Sequence, residues 1–140
     1  MSLTLQPLEI RQPKELPGVF SAVAGWPAGA VLVLPDPMLG NELRQISKLA
    51  ATHRVPAMYT RSEFAETGGL LAYGPSFADN YRRVAIYVDR ILKGAKPSNL
   101  PVEQPIKFEL VINLRTAKAL GVTIPQSLIL QAERSSNSEG

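Results

Sequence analysis

Residues 68–83 read GGLLAYGPSFADNYRR. Two glycines lead into a short apolar run, Leu70 to Tyr73, with the length and composition of a strand. Gly74-Pro75 interrupts it. Ser76, with Asp79 three residues on, then has the spacing of a capping box, the Asp standing in for the usual Glu or Gln. Phe77, Tyr81, Val84, Val88, Ile91 and Leu92 follow at helical spacing, and Gly94 supplies a stop, so the pattern predicts the longest helix of the chain with that stripe as its apolar face. A strand that passes through Gly-Pro straight into a long helix is one step of an alternating α/β chain.

The flanks continue the alternation. Upstream, TLQPLEI (4–10) alternates loosely and predicts a strand, with Pro7 set against a central position. Pro13 suits the first helical position, and Leu16, Val19, Phe20 and Val23 carry that helix to about Ala24 before Gly25-Trp26-Pro27 ends it. AVLVL (30–34), between Gly29 and Pro35, reads as a strand buried on both faces. Asp36-Pro37 reads as a turn, and a helix follows from about Asn41 with Leu43, Ile46, Leu49 and Ala50 on one side. VPAMYT (55–60) is a further strand and residues 62–67 a turn or two of helix. Downstream, KPSNLPVEQP (96–105) is an extended connector, Phe108–Ile112 a strand, and Asn113 caps a helix to Leu120 closed by Gly121. Residues 127–130 suggest a last short strand, and residues 131–140 a disordered tail. This order predicts an α/β fold, a mostly parallel sheet with helices on both faces.

Composition excludes several chemistries. With 140 residues the chain is one domain's worth. No cysteine means no disulfide and no thiolate site, and His53 alone cannot make a His-rich metal centre or a triad; it suits a helix C-terminus, where the dipole favours it. No phosphate loop or dinucleotide fingerprint opens a helix, so no cofactor is expected. Ser62 has no His partner nearby in the sequence, and no catalytic residue is assigned. Apolar runs are too short to span a membrane, and the first residues lack the pattern of a signal peptide. The net charge of +3 resides in residues 76–96, where Arg82, Arg83, Arg90, Lys93 and Lys96 oppose Asp79 and Asp89. No aromatic residues interleave in a nucleic-acid pattern, so the plainer reading is a solvated helix face with no nucleic-acid partner.

Open α/β sheets bind ligands at the carboxyl ends of their strands. Three such ends are legible: Pro35-Asp36-Pro37, Tyr59 to Glu63, and Tyr73 to Ser76. Their side chains make Asp36, Tyr59, Arg61, Glu63, Tyr73 and Ser76 the candidate ligand-binding set. Asp36 or Glu63 could take an ammonium, Arg61 or the helix terminus at Ser76 a carboxylate, and the tyrosines an apolar part. Each also has a plainer role. Asp36 fits a turn, Arg61 and Glu63 a mutual surface pair, the tyrosines packing at the core edge, and Ser76 a cap.

Two long runs, GGLLAYGPSFADNYRRVAIYVDRILKGAKP and LPVEQPIKFELVINLRTAKALG, carry a resemblance to a family. The chain from about Ala30 to Leu130 resembles the C-terminal half of the periplasmic substrate-binding proteins of ABC transporters, in the family that includes tryptophan and tyrosine binders. The resemblance implies a fragment of a two-lobed, type I periplasmic-binding-protein-like fold that closes on a small solute, with an aromatic or branched amino acid the favoured class, and presents it to a membrane permease. It implies a periplasmic location and no enzymatic activity. Residues 4–73 would belong mainly to the second lobe and residues 76–130 would return to the first. Gly74 and Pro75 would be the hinge, glycine for its backbone angles and proline for the helix start. The apolar run FELVI (108–112) would then expose a strand edge, to be covered by a second copy of the chain or by joining the second-lobe sheet. Two other classes stay open: a flavodoxin-like signalling or interaction domain, which needs an acidic pocket after the first strand, and an enzyme on a similar sheet, which needs a nucleophile–base pair.

Overall fold

The computed structural model describes residues 3–27, 29–105 and 107–132, and the backbone of residues 134–135. A 3-10 turn at Pro13–Glu15 runs into α1 (Leu16–Ala24), with Pro17 in its first turn where a missing N–H costs nothing. The strands are β1 (Val31–Leu32), β2 (Ala57–Tyr59), β3 (Leu71–Pro75), β4 (Phe108–Ile112) and β5 (Arg134–Ser135). Between them lie α2 (Pro37–Asn41), α3 (Leu43–Thr52), α4 (Glu63–Glu66), α5 (Phe77–Leu92), α6 (Leu114–Leu120) and α7 (Gln126–Gln131). The sheet order is β1-β2-β3-β4-β5, parallel at every pairing except β3 with β4. The mostly parallel α/β sheet expected from the alternation is present.

The core forms where α1 and α3 cover one face of β1 and β2. Leu16 and Phe20 meet Leu43, Ile46, Ala50, Val33, Ala57, Tyr59 and Phe64, all buried. The buried Ser47 hydroxyl donates to the Thr67 carbonyl at 2.8 Å, joining α3 to the end of α4. A smaller cluster, Ala65, Ala72 and Val111, continues the core under β3 and β4. Asn113 fastens the C-terminal part. Its side-chain oxygen caps α6 by accepting from the Thr116 N–H at 2.9 Å, while its side-chain nitrogen donates to the Ala65 carbonyl at 2.8 Å.

The structure corrects several expectations. Residues 4–10 form no strand: Pro7 lacks the donor a ladder needs, and Leu3 and Leu5 stay exposed. AVLVL is not buried on both faces. Val33 points into the core, but Leu32 is 58 % exposed, because β1 is the sheet's edge and no helix among the described residues covers its second face. Asp36-Pro37 is a helix start, with Pro37 at the first helical position of α2. Residues 127–130 lie in α7, where Leu and Gln favour helix and Pro125 sets its start. Of the tail expected from residue 131, Gln131 is helical and residues 134–135 pair with β4; residues 133 and 136–140 lie outside the described residues.

The opening stretch also reads differently. β3 does not end at Tyr73 but continues through Gly74 and Pro75, which pair with Glu109 and Phe108. Gly74 has no unusual backbone angle. It is glycine because a Cβ there would stand 2.0 Å from the Thr60 carbonyl oxygen of the chain leaving β2. α5 leaves the sheet after Ser76, and none of its residues is buried. The stripe expected to face a core is exposed, Leu92 to 82 %. One side of α5 is tied to the connector: the Tyr87 hydroxyl donates to the Pro101 carbonyl at 2.6 Å, and Arg83 bridges Glu103 at 2.8 Å and Asp79 at 3.6 Å.

Candidate ligand-binding site

The carboxyl ends of β1, β2 and β3 point the same way, and the segments after them meet. Asp36, after β1, is exposed and caps α2: its Oδ1 accepts from the N–H groups of Met38 and Leu39 at 2.8 and 3.1 Å. Tyr59, the last residue of β2, is buried to 2 %. Its ring meets Phe64 edge to face at 6.0 Å, and its hydroxyl approaches the Asp36 carbonyl at 3.5 Å. Ser76 caps α5, its hydroxyl accepting from the Asp79 N–H at 3.4 Å, and is likewise buried. Tyr73 points to the opposite face of the sheet from Tyr59, since Tyr59 is paired with its neighbour Ala72. There it stacks on Phe108 at 5.7 Å.

Arg61 and Glu63 remain, and they form the charged centre of the site. The Arg61 side chain grips the Glu63 carboxylate in a fork, Nη2 to Oε1 at 2.9 Å and Nε to Oε2 at 3.4 Å. Both are partly exposed. Hydrogen bonding to Arg61 holds the Glu63 carboxyl below its ordinary pKa, and the same bond raises that of Arg61, so both charges persist at neutral pH. The guanidinium carbon lies 5.4 Å from the centre of the Phe77 ring, a cation–π arrangement at the first residue of α5. The Tyr59 and Tyr81 hydroxyls exert weaker electrostatic effects on Arg61. Gly40 of α2 closes the near side, with space for a Cβ at 3.6 Å from Arg61 Nη1.

Of the six sequence candidates, the fold therefore brings Asp36, Tyr59, Arg61, Glu63 and Ser76 to one end of the sheet and sends Tyr73 elsewhere. Phe77 and Tyr81, which helical spacing assigned to a buried stripe, are exposed, Phe77 against the Arg61 guanidinium and Tyr81 one turn further along the same side of α5. The position of Phe77, directly after a capped strand end, was the available signal. Among the described residues no group of three or more His, Cys, Asp or Glu side chains could hold a metal ion. A groove of about 540 Å³ lies away from these residues between α5 and the connector, lined by Arg83, Tyr87, Leu100 and Glu103 among others.

The sequence matches the model of the ABC transporter substrate binding protein family over residues 1–136. The chain belongs to that family. As a substrate-binding-protein chain it shares its fold with three solved structures. A conserved domain protein from Vibrio cholerae O1 biovar El Tor superposes with a TM-score of 0.80 at 23 % identity, over 89 % of this chain and 42 % of the other. An ABC domain from Streptococcus pneumoniae in complex with L-Trp gives 0.79 at 23 %, over 90 % and 43 %. A ligand-free, open substrate binding protein with adhesive properties from Clostridium difficile gives 0.62 at 21 %, over 91 % and 43 %. This substrate-binding-protein chain thus spans less than half the length of the structures it matches. No curated protein matches it. No helix among its described residues is long and apolar enough to cross a membrane.

Proposed function

We propose that this chain is part of a solute receptor for an ABC importer, binding a small solute, an aromatic or branched amino acid, at the carboxyl ends of β1–β3. The observation that carries the reading is the family match over residues 1–136 together with a charged and aromatic cluster, Arg61, Glu63 and Phe77, where an open α/β sheet takes its ligands. The pneumococcal relative holding L-Trp supports an amino acid as the class. Capture proceeds by lobe closure, with residues 4–73 and the β4 and α6 segments fastened onto them in one lobe and α5 with its connector leading toward the other, and the loaded receptor meets a membrane permease outside the cytoplasm.

Gly74 and Pro75 are the hinge in this reading. Support comes from the antiparallel β3–β4 pair, whose far end leads to α5 and whose near end is anchored in the core through Ala72, Val111 and Asn113. The hinge is a two-strand ribbon, stiffer than a single crossing. Pairing of two copies through FELVI loses its motive, since β4 is flanked by β3 along its length and by β5 at its C-terminal end.

A thermal-shift screen against the twenty amino acids and small organic acids tests the function. Stabilisation should grow with ligand concentration, reaching about 2.7 kcal/mol at a hundred times Kd. A melting point that no amino acid moves, at any concentration up to millimolar, refutes the reading.

A further inference from the structure

We propose that the Arg61–Glu63 pair reads the α-amino acid zwitterion as a unit: ligand carboxylate on the free edge of the Arg61 guanidinium, ligand ammonium on the Glu63 carboxylate, and ligand side chain against the exposed rings of Phe77 and Tyr81. This deepens, and rests on, the solute-binding reading above.

Elimination on geometry leads to this pair. Asp36 Oδ1 is engaged by two backbone N–H groups of α2. The Ser76 hydroxyl is buried and caps α5, Tyr59 is buried, and Tyr73 faces the other side of the sheet. Arg61 and Glu63 are the two candidates that keep bonding capacity toward open space. Arg61 commits Nε and one Nη2 hydrogen to Glu63, and a guanidinium has five N–H donors, so Nη1 and the second Nη2 hydrogen form a second fork for another carboxylate. The Glu63 carboxylate accepts two bonds from Arg61 and one from its own backbone N–H, and of its roughly four lone-pair sites it retains capacity for an ammonium. A zwitterion laid antiparallel to the pair therefore meets opposite charge at both ends, four alternating charges in a square. A free carboxylic acid or a free amine meets only one favourable end and faces a like charge at the other. The pair is thus a filter for molecules carrying both groups.

The aromatic side follows from placement. The Phe77 ring lies 5.4 Å from the guanidinium carbon, a cation–π contact that, with the Glu63 fork, restrains the Arg61 side chain before a ligand arrives. Phe77 is 45 % and Tyr81 72 % exposed, one turn apart on α5. Their free surface would be covered by an apolar ligand side chain.

Isothermal titration with three probes tests the assignment: L-tryptophan, tryptamine, which lacks the carboxylate, and indole-3-propionate, which lacks the amine. The protein should bind L-tryptophan at least about ten-fold more tightly than either probe. Glu63→Gln should weaken L-tryptophan and tryptamine about ten-fold or more and leave indole-3-propionate unchanged or improved. Arg61→Gln should do the converse, weakening L-tryptophan and indole-3-propionate but not tryptamine. Equal losses for all three probes in both variants mean a structural role and overturn the proposal, as does wild-type affinity in both. If the unaltered protein binds none of the twenty amino acids, the functional reading itself fails and the pair has nothing to read. If it binds them and the two variants bind as well, only the assignment to this pair falls. Melting curves of both variants confirm that the fold is retained, which the exposure of the pair leads one to expect.

Discussion

Gly74 shows how one residue can be required for a reason its sequence does not display. The chain leaving β2 passes so close that a methyl group at Gly74 would collide with the Thr60 carbonyl, a backbone atom that cannot swing aside. Gly74→Ala should therefore cost roughly 1–3 kcal/mol, as overpacking does, and lower the denaturant midpoint with little change in slope. Gly69, where a Cβ would stand 2.3 Å from the Phe64 ring, is bound by the same logic rather than by turn flexibility. Arg54 is the opposite case. It holds a left-handed φ of 54° just after α3, where glycine is the usual occupant. Arg54→Gly should raise stability by about 0.5–1 kcal/mol, relief of strain offset in part by the freer unfolded chain, and chemical denaturation would measure it. At Glu63 the folded pKa is lowered, so its contribution is complete above about pH 4.3, the unfolded value, and is lost as pH falls through the lower folded value. Glu63→Gln should flatten the stability profile across that acid window, with the small loss from a partly exposed pair fully present at neutral pH and vanishing in acid. Melting points recorded from pH 2 to 7 provide the check.

Among the elements, the caps were legible and the burial was not. Ser76, Asn113 and the Pro13 start act where short-range chemistry placed them, because a cap depends on a side chain and a backbone N–H two or three residues away. Asn113 also crosses to Ala65, 48 residues distant, a contact with no local signature. Asn113→Ala should cost more than a cap's usual ~1 kcal/mol, since the Ala65 carbonyl loses its partner as well, whereas Asp36→Ala should cost only the cap and leave ligand affinity within about two-fold. Equilibrium unfolding of the two variants, with a titration for the second, separates these roles. The stripe along α5 was correctly read as a period and wrongly read as a buried face. Periodicity says which residues share a side of a helix; it does not say whether anything lies against that side.

For the whole molecule, apolar surface among the described residues stays open along the α5 stripe from Val84 to Leu92 and on the second face of the sheet at Leu32, Tyr73 and Phe108. Surfaces of this kind mark places where further protein packs, and the chain spans less than half the length of the structures it matches. The core of Phe64, Tyr59 and Ile46 is by contrast closed on itself, so its response should be local and large. Phe64→Ala should lose about 3–5 kcal/mol, a cavity beneath β2 that would also release Tyr59 and loosen the site above it. A variant that unfolds near the wild-type midpoint would mean that the core is not organised around that ring.

The sequence by itself determined the alternation of strands and helices from β1 to α6, several of their starts and stops, the family, and the strand ends at which a ligand would be sought. Those features depend on neighbours a few residues apart or on long runs of similar residues. Tertiary structure alone decided that β3 runs on through Gly74-Pro75 to pair with β4, that Tyr73 faces away from Tyr59, and that Arg61 faces Glu63 and Phe77 with donors to spare. These depend on which distant backbones come within a few ångströms of each other, and no local pattern of residues encodes that distance.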